Sequence, residues 1–245
     1  LEYTTQADRI ARESVTIVRN EGSVLPLRDV TTPDILLLAV DDDRSGRAGN
    51  ALAGELRRYH QDVVYDVLDL RSGPQEREEI LRKAENADLV LIATFISVRT
   101  GGGSQMDREH LRLLRRVSAL PNPSVLVSFG NPYLVSELPE TQAAVLAWSG
   151  TDEQVVQTVP ALVGAAPVIG RLQVDIPGVA LRGSGVQLPK TTLRVGTPES
   201  AGMRSDSLRR IDELIEASIR DSVFPGAALA VVRDGVLVYS KAYGY

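Results

Sequence analysis

Cysteine is absent from the 245 residues, so disulfides, thiolate metal sites and thiol nucleophiles are excluded. Its absence does not fix a compartment. Aromatic residues make up only 4% of the chain, which leaves aliphatic side chains to build the core. No apolar run approaches the length of a membrane span. A basic excess is also missing: the net charge is −5, and the lysines and arginines are interleaved with acids, as on solvated helix faces. Phosphate backbones need a concentrated basic surface, so no nucleic-acid partner is expected. There is no G-x-S-x-G elbow and no S-x-x-K. His60 and His110, the two histidines, read as surface residues rather than catalytic bases. No signal-peptide pattern opens the chain; either the protein is cytosolic or its true N-terminus lies upstream.

What is present is an alternation of strand and helix patterns. "DILLLAV" (34–40) is a continuous apolar run, the mark of a strand buried on both faces. "DVVYDVLDL", "DLVLIATFI" (88–96), "PSVLVSFG" (123–130) and "AAVLAWS" (143–149) follow as further strands. Helical patterns separate them near 49–59, from Pro74, over "MDREHLRLLRRVSAL" and over "TDEQVVQTVPALVG". Such an order gives α/β architecture: a mostly parallel, doubly wound sheet with flanking helices and right-handed crossovers. Ahead of it, "TTQADRIARESVTIVRNEG" reads as a helix, with Ala7, Ile10, Ala11, Ser14 and Val18 on one face and Gly22 as the stop. Residues 179–200 carry the Gly, Pro, Ser and Thr of a linker. An amphipathic helix then starts near Ser205, with Leu208, Ile211, Leu214, Ile215 and Ile219 as its stripe. A hairpin turning at Asp234-Gly235 closes the sequence.

Ligands of open α/β sheets bind outside the carboxyl ends of the strands, so the candidate residues are those at that edge. Asp41, Asp42 and Asp43 end the first strand. Clustered carboxylates can hold magnesium, but the partners such a site needs, an Asp after the third strand and a Lys near the fifth, are absent. "GRAGNALAG" lacks the spacing of a dinucleotide fingerprint, and "TGGGSQMD" lacks the Lys-Ser/Thr of a phosphate loop. No metal or cofactor is expected. The loop after the third strand, with Arg99, Gly101, Gly102, Gly103 and Ser104, and the stretch Gly130, Asn131 and Tyr133 after the fourth are candidates for a substrate edge or a domain interface. Gly130 permits an unusual φ, and Asn131 before a proline favours an extended conformation. The residues supply no complete catalytic set. On pattern alone, a free-standing small-molecule or nucleotide-binding module stays open as the alternative.

Three stretches carry a family resemblance. "ARESVTIVRNEGSVLPL" (11–27), "SFGNPYLV" (128–135) and "GTDEQVVQTVPALVGAAPVIGRLQVDIPG" (150–178) resemble, in order and spacing, the second domain of family 3 glycoside hydrolases over residues 1–178. The "GNPY" stretch is similar to the β-N-acetylhexosaminidase branch. In that branch the resemblance implies that the nucleophilic Asp and the acid/base His sit on a separate barrel domain, so this polypeptide alone is expected to hydrolyse nothing. Residues 201–245 resemble the amino-terminal opening of serine β-lactamase-like hydrolases, whose nucleophile motif would lie beyond Tyr245. The implied parent carries a barrel, this α/β domain and a serine hydrolase domain, and acts in bacterial cell-wall turnover in the cell envelope or as a secreted protein. The helix and hairpin are further expected to dock on the α/β domain or to pair with a second copy as a homodimer.

Overall fold

A computed structural model of the chain describes residues 2–27, 34–41, 46–60, 62–96, 106–191, 194–233 and 236–244. They form two compact units that divide between Thr191 and Thr192.

The strands of unit one are β1 (Thr16–Asn20), β2 (Asp34–Asp41), β3 (Asp62–Leu68), β4 (Leu89–Phe95), β5 (Ser124–Ser128) and β6 (Ala143–Leu146). They make one six-stranded sheet in the order β1-β6-β5-β4-β2-β3. Every pair is parallel except β1 on β6. The helices are α1 (Glu2–Ser14), α2 (Arg47–Leu56), α3 (Pro74–Asn86), α4 (Arg108–Ser118), the short α5 (Leu134–Glu137) and α6 (Asp152–Leu162). The expected α/β fold is the one formed.

The continuous apolar run of β2 serves both faces of the sheet. Ile35 and Leu37 enter a core shared with Leu52 and Leu56 of α2 and Val155 and Val159 of α6. Leu36, Leu38 and Val40 enter the opposite core with Ile80 and Ala84 of α3 and Leu113, Leu114 and Val117 of α4. Each fully buried aliphatic side chain of this kind contributes roughly 1.5–3 kcal/mol. Local chemistry sets the helix starts. Pro74 occupies the first turn of α3, where a missing N–H costs nothing, and the Gly73 N–H donates to Glu76 Oε2 (3.0 Å). At α4, Asp107 Oδ1 accepts from the N–H groups of Glu109 (2.8 Å) and His110 (3.2 Å).

Four sequence expectations are corrected. The first helix does not run through Val18; it stops at Ser14, and Thr16–Asn20 is a strand. The β-branched run Val15-Thr16-Ile17-Val18 favours the extended form, and pairing of Thr16 with Leu146 and Asn20 with Ala143 decides it. β3, β5 and β6 are shorter than read, ending at Leu68, Ser128 and Leu146. Both histidines are buried rather than on the surface. The stretch 179–191, read as linker, lies along unit one, where Ile17 bridges Val186, Val168 bridges Leu188 and Ile176 bridges Ala180. Its approach is close: a Cβ on Gly185 would sit 2.7 Å from Gly170 O.

Unit two holds β7 (Arg194–Val195), α7 (Ser205–Arg220), β8 (Gly226–Arg233) and β9 (Val236–Gly244), with strand order β7-β9-β8. Arg233 pairs with Val236; Asp234 and Gly235, the expected turn, lie outside the described residues. On α7, Leu208 is buried and Ile211, Ile215 and Ile219 are half-buried, but Leu214 is 68% exposed and falls outside the stripe. Tyr239 and Tyr243 both donate their hydroxyls to Asp212, which joins α7 to β9. Among the described residues no helix is long and apolar enough to cross a membrane.

Candidate functional site

The winding of the sheet reverses at β2. Chain order places β3 on one side of it and β4 on the other. The helices after β2 and β4 therefore pack on opposite faces, α2 on one core and α4 on the other. A crevice opens at the carboxyl edge where the two connections part. Asp41 is the last residue of β2 and lies opposite Phe95 in the parallel register. Phe95 stacks on Phe129, with ring centroids 4.7 Å apart and planes 12° from parallel. The pairing of β4 and β5 extends past the strand ends, because Phe129 N–H donates to Thr94 O (2.8 Å) and Asn131 N–H to Ile96 O (2.9 Å). Behind the stack, a Cβ on Gly150 would lie 3.6 Å from Phe95. The edge is thus a fixed platform of one carboxylate and two stacked rings.

Toward the outer strand the edge deepens into a cleft of about 570 Å³, lined among others by Asp41, Asp66, Asp69, Arg71, Glu79 and Lys83. Its charges are largely cross-tied. Arg71 pairs with Asp69, and Lys83 Nζ sits 2.8 Å from Asp66 and 3.3 Å from Glu79. The hydrogen bond from Arg71 holds the Asp69 carboxyl below the usual range, against the effect of burial. The hydrogen bond to Asp66 holds the Lys83 ammonium above its usual range. Burial first, then the charges of Asp41 and Asp66, push the Tyr65 hydroxyl up; that hydroxyl donates to Gly46 O (3.3 Å). Gly46 starts α2 with a left-handed φ of 61°, a conformation glycine adopts freely.

Asp41 is 4% exposed, packed into the sheet edge. Asp42, Asp43, Arg99, Gly101, Gly102, Gly103 and Ser104 lie outside the described residues. Gly130 has a φ of 147°. Asn131 is buried, where its Oδ1 accepts from the Tyr133 N–H (3.0 Å) and its carbonyl accepts from Ser128 Oγ (2.6 Å). Asn131 thus builds the strand-to-helix turn, and Tyr133 is the exposed member of the set among the described residues. Among the described residues no cluster of three or more His, Asp or Glu side chains is placed to hold a metal ion. Sequence reasoning does not single out the cleft residues Asp66, Asp69, Arg71 and Lys83. The signal that could have found them is the acid-rich stretch "DVLDLRSG" (66–73) at the end of β3, at the same sheet edge as Asp41.

Comparison with known proteins places this architecture. Residues 15–206 match the family model described as the glycosyl hydrolase family 3 C-terminal domain. The chain belongs to that family. A curated relative of this family 3 domain is the β-N-acetylglucosaminidase/β-glucosidase of Cellulomonas fimi, 25% identical over 182 residues, or 71% of this chain and 32% of the relative. The chain therefore spans about a third of that protein's length. A short match, 45% identical over 47 residues, links 19% of the chain to 10% of the N-acetylmuramyl-L-alanine amidase of Bacillus subtilis. Among solved structures, the β-glucosidase of Listeria innocua aligns with a TM-score of 0.58 at 21% identity, covering 72% of this chain and 27% of that one. The family 3 β-N-acetylglucosaminidase of Paenibacillus aligns with 0.56 at 19% identity, covering 75% and 33%. These two likenesses concern the fold.

Proposed function

We propose that this family 3 domain is the accessory α/β part of a bacterial β-N-acetylhexosaminidase-type glycoside hydrolase that acts in cell-wall sugar turnover. It buttresses a catalytic barrel of the same parent chain and edges the substrate cleft with its carboxyl rim, and it is inactive alone. The observation that carries this reading is the open switch point, where Asp41, Phe95 and Phe129 form a rigid rim from which two connections leave. A retaining glycosidase needs two catalytic groups flanking the scissile bond, roughly 5–5.5 Å apart when both are carboxylates. One sheet edge with cross-tied carboxylates does not enclose a sugar in that way. The name of the Cellulomonas fimi relative supports the sugar class.

The reading extends to unit two as the opening of a serine β-lactamase-like domain of the same parent. The helix and hairpin order of residues 205–244 supports this. A homodimer formed through unit two belongs to the same proposal; it would cover Leu214 and Val223, which are 68% and 71% exposed.

The test is turnover of a chromogenic N-acetyl-β-glucosaminide. The chain alone is expected to show none. The separately expressed barrel of the parent should gain kcat/KM when the chain is added. Turnover by the chain alone, above an empty-vector preparation, would overturn the proposal.

A further inference from the structure

Trp148, the single tryptophan of the chain, sits just past β6 with a φ of 67°. A bulky residue in the left-handed region is a genuine outlier. The Ser149 N–H donates to Ala147 O (2.8 Å) across it, which makes Trp148 the centre of a γ-turn of the strained, positive-φ kind. The indole fixes this conformation: its Nε1–H donates to Ser14 O (3.0 Å) and reaches Thr16 Oγ1 (3.3 Å). Backbone strain of this sort persists where surrounding contacts over-determine it, and it concentrates at ligand clamps.

The ring also lines a cavity of about 220 Å³ with Glu13, Ser14, Gly170, Arg171 and Gln173, while packing partly against the core beneath. The rim is held in place, since Gln173 Nε2 donates to Arg171 O (2.9 Å) and Arg171 Nη1 donates to Gly183 O (3.1 Å). All of these residues belong to unit one.

We infer that this cavity is a binding site for one pyranose ring, distinct from the carboxyl-edge cleft beside Asp41. The indole contributes apolar surface to the cavity lining, against which the C–H groups of a pyranose can pack. The Glu13 carboxylate, the Arg171 guanidinium and the Gln173 amide supply both acceptors and donors for ring hydroxyls, while the Ser14 hydroxyl is already committed to Ala11 O (2.9 Å). The volume suits a single sugar unit and is too small for a nucleotide. All the lining residues belong to this chain, at the β1 end of the sheet edge, away from the outer-strand cleft beside Asp41.

Because Trp148 is the sole tryptophan, its emission reports the site directly. The experiment titrates the full chain with methyl β-glucopyranoside, N-acetylglucosamine and, as an acyclic polyol, glycerol. Saturable change in emission with at least one pyranoside, half-complete in the millimolar range, and none with glycerol is the expected result. The double variant Glu13→Ala/Gln173→Ala alters two exposed side chains and leaves the indole contacts in place. It should lose at least tenfold in apparent affinity while keeping the thermal unfolding midpoint of the parent. No saturable change with either pyranoside, an equal response to glycerol, or full affinity in the double variant would overturn the inference.

Discussion

Asp41 and Phe95 face each other as the terminal pair of the β2–β4 register, and Phe95 in turn stacks on Phe129. This row fixes the geometry of the rim at the point where the sheet reverses its winding. Phe129 is buried. Replacing it by alanine removes both core packing and the stack and should cost about 3–5 kcal/mol. Phe129→Leu should cost far less. Denaturant melts of the two variants check this; a Phe129→Ala loss below about 1 kcal/mol would show that the row is not packed as described.

Two glycines of α2 should respond in opposite senses to alanine. A Cβ on Gly49 would lie 2.6 Å from Tyr65 Oη and 2.7 Å from Ala39 Cβ, whereas one on Gly54 meets nothing within 4 Å. Gly49→Ala over-packs the α2–sheet contact and should destabilise by roughly 1–3 kcal/mol. Gly54→Ala gains helix propensity and should stabilise by about 0.5–1 kcal/mol. Calorimetric midpoints on either side of the parent are the expected outcome, and shifts of the same sign would contradict it.

Much of this fold is legible in the residue pattern, and the failures have physical causes. β2 is legible because its apolar run is continuous, and α3 because Pro74 marks its start. β1 is not, because the apolar period of α1 continues through Val18 and the deciding partner, β6, lies far along the chain. The burial of His110 is hidden for a similar reason: its helix is heavily charged on one face, yet the other face meets the core. Asp41 is legible as an edge residue. The adjoining Asp66, Asp69 and Lys83 are not, since their cleft arises only when α3 folds back over β3. The γ-turn at Trp148 depends on contacts with Ser14 and Thr16 that no local pattern announces.

Acid should weaken unit one in part through Asp69. Its carboxyl is held low by Arg71, so its contribution is fully present above the unfolded value of about 3.9 and is lost as pH falls toward the folded value. The Asp107 carboxyl, held low first by the His110 N–H, acts in the same direction. The midpoint of unfolding should therefore drop more steeply from about pH 5 to about pH 3 in the parent than in Asp69→Asn. Parallel profiles would refute the assignment.

In unit two, Asp212 accepts from Tyr239 and Tyr243 and lies 3.5 Å from Lys241 Nζ. The tyrosine hydrogen bonds hold its carboxyl low. Asp212→Asn should speed hydrogen exchange in α7 and β9 while leaving the Trp148 unfolding transition of unit one unchanged, because the two units are separate compact bodies. An equal loss in both units would argue against two separately cooperative bodies.

The most direct measurement is hydrogen–deuterium exchange of the chain with and without the barrel domain proposed for its parent. The account expects protection to appear along the carboxyl edge, in the segments holding Asp41, Gly46–Asn50, Phe95–Ile96 and Gly130–Tyr133. Protection confined to the opposite, amino edge of the sheet, or none at saturating barrel, would contradict it.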